Sequence, residues 1–160
     1  SENTTVLKSQ ITESIDTPFG IDFKIEEVDK DLYNIEVTLE LEKGDYVISP
    51  LSKDTIYGHF DISIRDFGNL LPDDSISETP NSVEEYDSII KEQVRFVRKT
   101  TTFKKQVRLL NTNDFDAAGM VWFVLEPKCV PYDVEFVISN RSGKVRIEKT
   151  KTAISAGYSG

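Results

Sequence analysis

The residue types that carry most enzyme chemistry are scarce here: one histidine and one cysteine stand in 160 residues. His59 lies between Tyr57 and Asp61 at alternate positions. On a strand the three side chains would share one face. An imidazole oriented by a carboxylate can act as a general base. No Gly-x-Ser-x-Gly nucleophile motif and no glycine-rich phosphate loop accompanies the trio. It therefore reads as a surface cluster, with Tyr57, His59 and Asp61 kept as binding candidates. Cys129 is the sole thiol and can form no internal disulfide. Its plainer reading is a small, half-buried packing residue. Its sharper reading is a reactive thiol, which needs exposure and a surrounding that favours the thiolate.

Other clusters are weaker. Asn113, Asp114 and Asp116 bring oxygen atoms together before Gly119, a chemistry that suits calcium. The twelve-residue loop pattern and its closing glutamate are missing, so a solvated turn is expected. One histidine and one cysteine cannot build the usual zinc site, and no metal or other cofactor is expected. Asp73-Asp74 reads as a solvated loop pair. Arg95, Arg98, Lys99, Lys104, Lys105 and Arg108 form the one basic zone. On strands they would make a cationic strip along a sheet face, and Arg95, Arg98 and Lys104 are its binding candidates. Trp122 and the six tyrosines could stack on sugar rings. Trp122 lies inside the most apolar run, however, and is expected in the core.

The net charge of -9 and pI near 4.7 repel a phosphate backbone, which makes nucleic acid a poor partner. A protein or peptide is the expected partner. No apolar run approaches the roughly 20 residues of a membrane-spanning helix.

The elements that must position these residues are strands. Tyr33, Ile35, Val37, Leu39 and Leu41 alternate with Asn34, Glu36, Thr38 and Glu40, giving one dry and one wet face. Ile21, Phe23 and Ile25 do the same before a turn at Asp29-Lys30-Asp31. Val94 and Phe96 sit on one expected strand, and Phe103, Val107 and Leu109 on another. Gly119–Leu125 is apolar without a break and reads as a central strand buried on both faces. Asp133–Ser139 and Lys144–Thr150 alternate around Asn140-Arg141-Ser142-Gly143, a hairpin signal. Between 66 and 92 the sequence suggests a long loop and a short helix, with Ser82 and Glu85 as a capping box before Val83, Tyr86, Ile89 and Ile90. About eight strands without regular helix alternation favour an all-β, two-sheet antiparallel sandwich. It is expected over 17–152, with a polar N-terminal tether over 1–16 and a small-residue tail over 153–160. The tether could lead to a lipid anchor or a removed targeting segment; an arbitrary chain boundary explains the same residues. Asn3-Thr4-Thr5 and Asn140-Arg141-Ser142 fit the glycosylation pattern.

The stretch Gly119-Met-Val-Trp-Phe-Val124, followed by Leu125-Glu-Pro-Lys-Cys129-Val-Pro131 and a strand with Phe136, resembles the N-terminal periplasmic domain of the thiol–disulfide interchange protein DsbD and its relatives. Tyr46-Val-Ile-Ser-Pro50 and Val94–Leu109 agree loosely, so the resemblance spans roughly 21–150. It implies an immunoglobulin-like sandwich and an extracytoplasmic, periplasmic address. The first of the family's two cysteines would fall near Val124 and is absent. A relay within one domain needs a second sulfur to resolve the mixed disulfide, so the internal redox activity is not expected. The resulting expectation is a non-catalytic binding module. The alternative is a redox accessory protein in which Cys129 forms a mixed disulfide with a partner.

Overall fold

The computed structural model describes residues 15–53 and 58–156. Their regular structure is entirely β. One sheet runs in the order β1 (Phe19–Asp29), β2 (Leu32–Leu41), β9 (Thr101–Leu109) and β5 (Leu70–Pro72), with β6 (Ser77–Thr79) pairing further along β9. The second has the order β12 (Lys144–Ile154), β11 (Val130–Arg141), β10 (Phe115–Leu125) and β4 (Asp61–Ile64). A third, small sheet has the order β3 (Val47–Ile48), β8 (Glu92–Val97) and β7 (Val83–Asp87). All these pairings are antiparallel. The all-β sandwich expected from the alternating pattern is what the chain forms. Among the described residues no helix is long and apolar enough to cross a membrane.

Alternation sets the register. Tyr33, Ile35, Val37 and Leu39 of β2 are buried, as are Phe103 and Val107 of β9, and Val134, Phe136 and Ile138 of β11. These side chains form one continuous core between the two large sheets. The β11–β12 turn has consecutive residues at positive φ, Ser142 at 53° and Gly143 at 86°, as a tight two-residue hairpin requires. The core is knitted by rings. Phe60 lies 3.8 Å from Phe103 of one sheet and 6.1 Å from Phe123 of the other, stacked on both. Phe19 meets Phe123 and Tyr132 edge-on, with centroids 5.0 and 4.9 Å away. Phe136 occupies the space that a side chain at Gly119 would need: a Cβ there would stand 2.2 Å from the ring.

Three expectations change. The segment over 66–92 is neither a loop nor a helix but contributes β5, β6 and β7. The helical spacing of Val83, Tyr86 and Ile89 is overridden by pairing, with Val83 opposite Phe96 and Asp87 opposite Glu92. Asp87 closes this hairpin by accepting the N–H groups of Ile89 and Ile90 at 2.8 and 3.2 Å. Ser82 donates its N–H to the Glu78 carboxylate instead of capping a helix. Second, β10 alternates instead of being buried on both faces: Val121, Phe123 and Leu125 face the core, while Met120, Trp122 and Val124 are half-buried on the outer side. Trp122 is thus outside the central core, and a Cβ at Gly58 would fall 2.1 Å from its ring. Third, β12 runs to Ile154, past the expected end of the domain at 152. The tether over 1–16 lies almost wholly outside the described residues.

Gly119→Ala tests the ring-into-gap packing. Phe136 is fully buried and cannot retreat, so the variant should lose about 1–3 kcal/mol, read as a lower urea midpoint at unchanged slope. A midpoint within error of the parent would refute the assigned fit.

Candidate functional site

Among the described residues, those named from the sequence are spread over the three sheets and do not form one site. Tyr57 lies outside the described residues. His59 is exposed, bridges by backbone to Ile48, and places its ring Nδ1 3.0 Å from the Phe60 carbonyl oxygen. Asp61 is exposed at the start of β4, opposite Trp122. Lys104 stands half-buried on the outer face of β9, between Glu36 of β2 and Ser77 of β6. The cationic strip does not exist as one surface. Arg95 and Arg98 belong with the small sheet, whereas Lys104 and Arg108 are on the outer face of β9 and Lys105 points to its buried side. Asp114 and Asp116 both serve the β11–β12 turn. Asp116 holds Arg141 at 2.8 and 2.9 Å, and Asp114 accepts the Ser142 N–H at 2.8 Å. Among the described residues no group of three or more His, Cys, Asp or Glu is set to hold a metal. Asn140 of the second glycosylation pattern is fully buried and donates to the Asn113 carbonyl at 3.0 Å, so its amide is closed to modification in the fold. Asn3 of the first lies outside the described residues.

One surface does assemble named residues: the small sheet and the turn beside it. Ile48, Val94 and Phe96 form a second apolar cluster, joined by Tyr46 and Ile90. Tyr46 meets Phe96 edge-on at 5.0 Å. Arg98 lies over both rings, 4.4 Å from the Tyr46 centroid and 5.1 Å from that of Phe96. Glu85 of β7 fixes the guanidinium by two bonds of 2.8 and 3.2 Å. The Tyr46 hydroxyl is pushed up in pKa by burial and by the Glu126 carboxylate, with Arg98 opposing. Arg98 thus roofs an apolar cluster; it is not a free cation awaiting a ligand. Arg95 is likewise engaged, donating to the Ser82 hydroxyl and carbonyl at 3.2 and 2.8 Å and facing Glu84 at 3.6 Å.

The Cys129 turn is clamped to this sheet. Tyr46 and Glu126 exchange backbone bonds of 2.9 and 2.8 Å. Lys128 reaches the buried Asp45 carboxylate at 3.2 Å. The Glu126 carboxyl is raised in pKa by burial, partly offset by the bond it accepts from the Cys129 N–H. Cys129 itself is exposed and sits at φ 59°. The half-buried packing role expected from the sequence is therefore wrong. The apolar run ends at Leu125, and a turn, not the core, receives the sulfur.

The edge of the small sheet is the part that sequence reasoning missed. β7 is its terminal strand. Val83 and Tyr86 on it are 61% and 60% exposed, and Ile89 in the following turn is 81% exposed. Their helix-like spacing concealed them, because it suggested a buried apolar face. A scan against protein-family models finds no match, and neither does a search of curated proteins.

Two measurements follow. Because Cys129 is exposed, a thiol reagent should label the native chain at a rate within about tenfold of the urea-unfolded chain; labelling only after unfolding would contradict the turn geometry. Glu126 gives a pH test. Its folded pKa lies above its unfolded value, so ionising it weakens the fold as pH rises through that interval. Glu126→Gln should be more stable than the parent at pH 7, and the gain should vanish below about pH 4, where both side chains are neutral. A gain independent of pH would contradict the assignment.

Proposed function

We propose that this domain is a non-catalytic, extracytoplasmic binding module that takes a protein or peptide partner along the edge of β7. The observation that carries the reading is the exposure of Val83, Tyr86 and Ile89 on a strand whose outer edge no other described strand covers. An open edge offers backbone donors and acceptors to an incoming extended segment. Exposed apolar side chains beside it supply the burial that makes such a contact stable. The other long edges differ. β12 presents Lys144, Arg146, Glu148, Lys149 and Lys151, and β1 presents Asp22, Lys24, Glu26 and Glu27, all exposed. Charged edges of that kind oppose pairing. The extracytoplasmic address rests on the resemblance to the DsbD N-terminal domain.

A second reading is favoured by the exposure of Cys129. The thiolate would attack a partner's disulfide, forming one mixed disulfide and releasing the partner's other sulfur as a thiol. With one cysteine, the chain cannot resolve that bond itself.

The edge reading is tested by a photocrosslinking residue placed at Tyr86 and, in parallel, at Lys24 on the opposite sheet. Position 86 should give a discrete adduct in the source organism's envelope, lost when Glu84→Pro removes an edge N–H, since Glu84 stands opposite Arg95, whose own peptide groups face Ser49 and Ser52. Identical adducts from both positions, or none, would refute it. Cys129→Ser should leave that adduct intact; its loss would transfer the function to the thiol.

A further inference from the structure

The open edge of the small sheet has two different faces and one sign of charge. β7 consists of Val83, Glu84, Glu85, Tyr86 and Asp87, three carboxylates and no cation. Its cross-strand neighbours sort these side chains. Val83 and Glu85 stand opposite Phe96 and Val94, which belong to the second apolar cluster. Glu84 and Tyr86 stand opposite Arg95 and Gln93 on the other face. The Arg95 peptide groups turn away from β7, its carbonyl accepting from Ser49 and its N–H meeting the Ser52 hydroxyl. Glu84 and Arg95 are therefore a non-hydrogen-bonded pair, in which both members point their peptide groups outwards. Glu84, and by alternation Tyr86, thus offer N–H and C=O to the edge. Arg95 and Arg98 are held inside the sheet by Ser82 and Glu85, and Lys91 stands in the closing turn.

We infer that the segment received by β7 is a basic stretch of a partner polypeptide, its lysines or arginines alternating with apolar residues; the inference rests on the edge reading above. Residues bonded to the Glu84 and Tyr86 main chain come to lie beside that carboxylate and that ring. A cation there pairs with Glu84 across the strands and meets the Tyr86 face. The intervening residues lie beside Val83 and extend the apolar cluster, so the two faces select alternate side chains. A second copy of β7 is the wrong occupant. Antiparallel self-pairing through the outward groups sets Glu84 on Glu84, Glu85 on Glu85, or Glu85 on Asp87, according to register, and like charges directly opposite are destabilising. The net charge of -9 also draws basic segments towards the domain.

The whole chain is titrated at low salt with a blocked heptapeptide alternating lysine and valine, and with its glutamine and glutamate counterparts. The amide resonances of Glu84 and Tyr86 are followed by two-dimensional NMR. The lysine peptide should move both, with a midpoint on the order of 1 mM. The glutamine peptide should bind about three- to tenfold more weakly, and the glutamate peptide more weakly still. Glu84→Gln should weaken the lysine peptide about two- to fivefold and leave the glutamine peptide unchanged. Raising the salt about tenfold should erase the preference for lysine. Equal movement of these amides by all three peptides would overturn the basic partner while leaving the edge reading in place. No movement by any of them would overturn both. Movement confined to Asp22 and Glu26 of β1 would mean attraction to the net charge alone and would overturn the site. Concentration-dependent broadening of Glu84 and Tyr86 without peptide would make a second copy the occupant and overturn the basic partner.

Discussion

Three phenyl rings hold the two large sheets together. Phe60 precedes β4 and lies between Phe103 and Phe123, which come from opposite sheets. All three are fully buried. This stack fixes the separation of the sheets and the direction in which the chain enters β4. Ile48, bridged to His59 next to that entry, is drawn into place with it, and so is the small sheet to which Ile48 belongs. The candidate surface therefore depends on a contact that none of its own residues make.

Polar groups then divide the surface. The cations of the small sheet are spent internally, Arg98 on Glu85 and two rings, Arg95 on Ser82 and Glu84. An exposed pair such as Arg98–Glu85 contributes little through charge alone. Its effect is to hold a planar group over Tyr46 and Phe96, which keeps water from the second apolar cluster. What is left uncovered among the described residues of this sheet is the edge of β7 with its apolar side chains. Ser49, fully buried, donates its hydroxyl to Glu78, whose other oxygen accepts the Ser82 N–H. That carboxylate ties β6 of one sheet to the start of β7 in another.

Where one face of a strand is wet, the fold was legible. The alternation over Leu32–Leu41 and the turn at Asn140-Arg141-Ser142-Gly143 specify their own pairing, because a one-residue slip would expose every buried side chain. Legibility failed where strands are short. β5 and β6 have three residues each, too few to show a period, and β7 carries apolar residues outward. The site was less legible still. Arg95, Arg98 and Lys104 look alike in sequence, yet their roles depend on which sheet each strand joins. That is settled by pairing with residues far along the chain, such as Lys104 with Glu36. Cys129 was misjudged because burial was extrapolated from the apolar run past Leu125.

The backbone at Cys129 has a further meaning. A left-handed conformation suits glycine, and to a lesser degree asparagine and aspartate; other residues hold it at a cost of roughly 1–2 kcal/mol. Side chains there are usually retained for what they pack against. This one is exposed. Glycine would adopt that main-chain conformation at lower cost, as it would at Lys91, which holds φ 60°.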